Sequence, residues 1–166
     1  MYQLKLISKE TIPRALAKAE RYRLLNEPQE AESICLDILS VEPDHQEALV
    51  MLLLSITDQF GRESEKGVGY ARKILGRVAG EYERLYYGGL ISERWIKAQL
   101  RDGAHQSLSP GWFIEALDCY EKARALSPPG NDDATLRWNA CVRLLEKSPE
   151  LNALTSQADA ESGFSE

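Results

Sequence analysis

The stretch EALDCYEKARALSP, from Glu115 to Pro128, decides the fold, because EAESICLDILSVEP, from Glu30 to Pro43, repeats its pattern. Both begin Glu-Ala. Both place a larger residue four positions after that alanine, Tyr120 in one and Cys35 in the other, and a proline twelve positions after it, Pro128 and Pro43. Apolar residues recur at helical spacing in each. The small residue lets two helices approach closely, and the larger one a turn later fills the gap beside it. The proline ends the helix and turns the chain into the next one. Two copies of such a unit imply a row of helical hairpins.

Working outward, the same periodicity predicts about seven helices: Pro13 to Asn26, Pro28 to Val41, His45 to Gln59, Glu65 to Ala79, Glu81 to Arg101, from after Pro110 to Leu126, and Asp132 to Lys147. Thr11 reads as a cap for the first, and Asp44 with Glu47 resembles a capping box for the third. Strand patterns are nearly absent. Short links at 26–28, 41–45 and 79–81 require consecutive helices to run antiparallel. The expected class is therefore all-α.

The pattern resembles the tetratricopeptide repeat, W-x2-L-G-x2-Y, then A-x3-F, then P. Ala19, Tyr22, Ala31, Cys35 and Pro43 match it in the first hairpin, with departures at Ala15 and Lys18. Gly89, Ala116, Tyr120, Ala123 and Pro128 match it in the third, with a departure at Ser92. The second hairpin is degenerate, with Leu53, Ile56, Ala71 and Leu75 as equivalents. The resemblance implies hairpins stacked as a right-handed superhelix in one domain over 1–149. Its repeats would fall at about 12–45, 46–80 and 81–130, with a capping helix at 132–147. Ala31 and Ala116 stand 85 residues apart, whereas two repeats of 34 would span 68. The surplus of 17 falls in TDQFGRESEKG (57–67) and DGAHQSLSP (102–110), two long loops and candidate contact edges.

Composition bounds the rest. The 166-residue chain carries a net charge of -6 and has no strongly basic window, which argues against nucleic acid. Residues 150–166 hold Glu150, Asp159, Glu161, Glu166 and no base, and read as a disordered acidic tail. Lys5, Lys9 and Glu10 interrupt any leader-like run, and no apolar stretch approaches a membrane span. Cys35, Cys119 and Cys141 form no CxxC pair and read as reduced thiols in a cytoplasmic protein. His45 and His105, the two histidines, lack metal-ligand spacing, and neither a nucleophile motif nor a phosphate loop appears. No catalytic residue, metal or cofactor is expected.

What the resemblance implies about function is a scaffold that binds a peptide or protein in a concave groove lined by the first helix of each hairpin. On that mapping Glu20, Arg23 and Leu24 face the groove, then Val50, Leu54, Thr57 and Asp58, then Tyr86, Leu90, Glu93, Arg94 and Lys97, and finally Arg137. Tyr86, Arg94 and Arg137 stand out, because aromatic and arginine side chains carry disproportionate binding energy. Domains of this family that clamp chaperone C-termini pair an early Lys/Arg-x3-Asn with a later Lys-x3-Arg. Lys97 and Arg101 fit the second half, but Tyr22 stands four before Asn26, so that use is rejected. Self-association into a homodimer and a secretion-type chaperone role are the alternatives.

Overall fold

A computed structural model of the chain describes residues 1–61, 67–103 and 109–162. Among them are a 3-10 turn, Lys9–Thr11, and the helices α1 (Ile12–Leu24), α2 (Pro28–Val41), α3 (Gln46–Thr57), α4 (Val68–Leu75), α5 (Glu81–Arg101), α6 (Gly111–Leu126), α7 (Asp133–Lys147) and α8 (Pro149–Ser162). No strand occurs among the described residues. The all-α class follows. The chain divides into two compact units, Met1–Ala79 and Gly80–Glu166. The reason is physical: each set of four helices closes a core of its own.

In the first unit α1 packs on α2 and α3, α2 on α3, and α3 on α4. Prolines 13 and 28 sit in the first turns of α1 and α2, where a missing N–H costs little. Asn26 takes the left-handed conformation (φ 60°) that closes α1. There the Glu27 N–H donates to Tyr22 O at 2.8 Å. The cap of α3 is His45, whose Nδ1 accepts the Ala48 N–H at 3.3 Å, not the Asp44 expected from the capping-box pattern. The core is built from Ala19, Ala31, Cys35, Ile38, Leu53 and Ile56, all fully buried. α4 ends at Leu75, short of the expected Ala79, because Gln46 holds the following turn: its Oε1 accepts the Ala79 N–H at 2.7 Å.

The first surplus segment is partly core. Phe60 is buried, and buried Gln59 donates from Nε2 to Glu32 Oε2 at 2.8 Å and to Ser55 O at 3.0 Å. Within the two surplus segments, residues 62–66 and 104–108 with His105 lie outside the described residues.

In the second unit α5 and α6 share the most extensive packing. Gly89 permits it: a Cβ there would stand 2.9 Å from Tyr120 Cε1 and 3.1 Å from Cys119 Cβ. Buried Ser92 ties the same pair, donating to Glu115 Oε2 at 3.0 Å. α7 and α8 then pack on α6 and on each other. The Asn131 side chain anchors the start of α7, accepting the Asp133 N–H at 3.0 Å and the Tyr82 hydroxyl at 3.3 Å.

The tail expected to be disordered is helical through Ser162. Pro149 and Glu150 suit a first helical turn. Leu151 and Thr155, one turn apart, are both buried, and Leu151 joins a cluster with Ile96, Phe113, Ala116, Tyr120 and Cys141. Acidity and small residues misled the compositional reading, because they say nothing about Leu151, which finds a core. Leu151→Ala should destabilise the second unit by about 2 kcal/mol. A urea midpoint read from tryptophan fluorescence checks this, since Trp95, Trp112 and Trp138 all lie in that unit. An unchanged midpoint would show α8 to be only loosely attached.

Candidate functional site

The expected groove residues resolve into two local arrangements, one in each unit. In the first unit Arg23, near the end of α1, donates from Nε to Asp58 Oδ2 at 2.7 Å just past α3. Both side chains are mostly buried, so the pair holds a fixed charge polarity. A cavity of about 210 Å³ opens beside it, lined by Arg23, Leu24, Asn26, Pro28 and Asp58. Leu24 is 82% exposed. Leu54 is half-buried on α3, whereas Thr57 is buried and donates its hydroxyl to Leu54 O at 3.0 Å. The expectation for Arg23, Leu24 and Asp58 thus places three residues that do come together. Thr57 is a correction: its side chain is spent inside.

In the second unit Glu93 is the centre. Its carboxylate is 0% exposed. Tyr120 Oη from α6 donates to Oε2 at 2.6 Å. Arg137 from α7 forks onto it, Nη2 to Oε1 at 2.8 Å and Nε to Oε2 at 3.1 Å. Lys97, one turn along α5, pairs with Oε1 as well. The burial that would be prohibitive for a lone carboxylate is offset by two cations and a hydroxyl.

Burial pushes the Tyr120 hydroxyl far up, and the adjacent Glu93 charge adds to the shift. For Arg137 burial acts to lower the pKa, but the Glu93 charge and Tyr120 outweigh it, so the guanidinium is held firmly protonated. Burial is also the main reason that the Cys141 thiol stands at about 12, with Glu93 adding to it. Cys35 is likewise raised to about 12 by burial, against the opposing pull of Arg23. Neither thiol is a thiolate at neutral pH, so neither is a ready nucleophile.

These contacts correct the expected groove. Arg137 and Lys97 bind an internal carboxylate, so they are structural before they are anything else. Leu90 is 4% exposed and belongs to the interior, and it presents no surface to a partner. Tyr86 is half-buried in an aromatic cluster, stacked on Tyr82 at 5.9 Å, edge-on to Tyr87 at 5.1 Å and tilted against Tyr120 at 6.1 Å. Burial raises its hydroxyl pKa, with the Arg137 charge opposing. Arg94 is half-buried on α5. The Glu93 cluster was partly visible in the sequence as Glu93-x3-Lys97, a helical ion-pair spacing that reads as a solvated face. Only the flanking Ile91, Ser92 and Ile96, all buried, hint otherwise.

Among the described residues no group of three or more His, Cys, Asp or Glu side chains could hold a metal ion, and no helix is long and apolar enough to cross a membrane. No protein-family model, curated protein or solved structure matches the chain.

Proposed function

We propose that the chain is a non-catalytic binding protein of tetratricopeptide type, its hairpins stacked superhelically, that holds a peptide or protein segment at the cavity beside Arg23 and Asp58. The observation that carries this reading is the pairing of a highly exposed leucine, Leu24, with a preformed ion pair around one cavity. Such a site offers an apolar contact, a cation and an anion in fixed positions. A peptide backbone with one apolar side chain can use all three, and little ordering is required of the protein. The volume suits one or two side chains of a partner, not a whole small-molecule cofactor.

The test is capture from native extract with quantitative mass spectrometry, comparing wild type with Leu24→Ser and Arg23→Ala. Leu24→Ser changes an exposed side chain and should leave stability within about 0.5 kcal/mol. It should reduce recovery of a specific partner by about tenfold, the effect of losing one central contact. A partner retained by both variants would refute the site. If the captured protein is the chain itself, and light scattering reports a dimer, self-association replaces this reading. The exposed Tyr2, Leu4 and Leu6 favour that second possibility.

A further inference from the structure

α1 carries a second feature on its outward side. Arg14, Lys18 and Arg21 recur at i, i+4 and i+7, and with Ala17, Tyr22 and Leu25 they line a cavity of about 560 Å³. The three cations are exposed, and Leu25 is 61% exposed. Lys18 Nζ lies 5.9 Å from the centre of the Tyr22 ring.

Acidic residues outnumber basic ones in this chain, 26 to 20. Many cations have therefore found carboxylates: Lys9 with Glu42, Arg23 with Asp58, Lys97 and Arg137 with Glu93, Lys122 with Asp118, Arg124 with Glu121. Arg14, Lys18 and Arg21 have no ion pair among the described residues. Three like charges are thus gathered on one helical face beside an exposed leucine and an aromatic ring.

We propose that this face takes an acidic helical segment of a partner protein. At about 1.5 Å per residue the cations are spaced by roughly 6 and 4.5 Å along the axis. Carboxylates at i, i+4 and i+7 of a second helix repeat those spacings. Leu25 and the Tyr22 ring supply the apolar contact that holds the pairing in register. Other polyanions fit less well. Nucleic-acid binders commonly neutralise about 6–10 phosphates, and three cations in a chain of charge -6 fall short. A membrane-surface helix separates a broad apolar face from its basic one. Here Ala17, Tyr22 and Leu25 lie among the cations. The inference goes beyond the cavity at Leu24, since Leu24 does not line this one.

The full chain is titrated, by fluorescence anisotropy, into a labelled helical peptide with glutamates at i, i+4 and i+7 and leucines on the adjoining positions. A peptide with glutamine in place of glutamate is the control. Phosphatidylserine vesicles are tested in parallel by co-sedimentation. The glutamate peptide should bind at least about tenfold more tightly than the control and weaken as salt rises. Arg14→Gln/Lys18→Gln/Arg21→Gln should abolish the difference with an unchanged circular dichroism spectrum, and Leu24→Ser should retain it. Equal binding of both peptides, binding that survives the triple variant, or vesicle binding without peptide binding overturns the proposal. If the triple variant loses helicity, Arg14→Gln/Arg21→Gln serves in its place, with the same expected loss and the same refutation.

Discussion

Glu93→Ala should lower the stability of the second unit by about 3 kcal/mol, the low end of the roughly 3–5 kcal/mol that breaking a buried ion pair costs. Several effects combine. The Tyr120 hydroxyl loses its acceptor in a buried site, which alone costs about 1–3 kcal/mol. Arg137 and Lys97 lose their counter-charge, but both are partly exposed and water recovers some of that loss, hence the low end. Removal of the carboxymethylene also leaves a void between α5, α6 and α7. Tryptophan fluorescence in urea reads the unit directly. Tyr120→Phe should cost much less, about 1 kcal/mol, because it removes one donor and leaves the cations in place. A Glu93→Ala loss below about 1 kcal/mol would show that the cluster is solvated. Arg137→Ala belongs with this series. A partner lost in that variant would be ambiguous between a groove contact and a collapsed core, so Leu24 is the cleaner test of binding.

Gly89→Val should cost about 2–3 kcal/mol, the upper part of the usual range for forcing extra carbon into a packed site. The first added atom already meets Tyr120 Cε1 at 2.9 Å. Tyr120 cannot swing aside cheaply, since it is fully buried and its hydroxyl is tied to Glu93. Helix propensity works the other way, because glycine is the poorer helix former by a few tenths of a kcal/mol relative to valine. The steric cost wins because α5 and α6 would have to separate along their most extensive contact. The midpoint of urea unfolding checks the size. A stabilised or unchanged Gly89→Val protein would mean that the two helices do not approach as closely as described.

The two predictions concern residues that the sequence made visible to very different degrees. Gly89 and Tyr120 stood out as a small residue and a large one at matched positions, and they do meet. α2 and α5 run over the residues their periodicity marks, because their ends are set by local signals such as Pro28 and the break at Asp102. Glu93 was hidden. A glutamate with a lysine one turn later looks like a wet ion pair in any single helix, and only the arrival of Arg137, 44 residues on, makes its burial tolerable. Leu90 was misplaced for a similar reason: helical register says which residues share a face, not which faces a neighbouring helix covers. The pairing of Arg23 with Asp58 was legible as a shared surface, though the ion pair was not. The α1 cation stripe needed no tertiary information for its spacing, but that it makes no ion pair among the described residues could be seen only in the folded chain.

The Gln59–Glu32 link also bears on how the chain can change length. Gln59 and Phe60 lie within the first surplus segment, yet both are set into the core of the first unit. A variant trimmed to the standard repeat from Asp58 onward would excavate that core, because Gln59 and Phe60 would go with it. For an engineer who wants to shorten this connection, Gln59 and Phe60 are residues to leave alone.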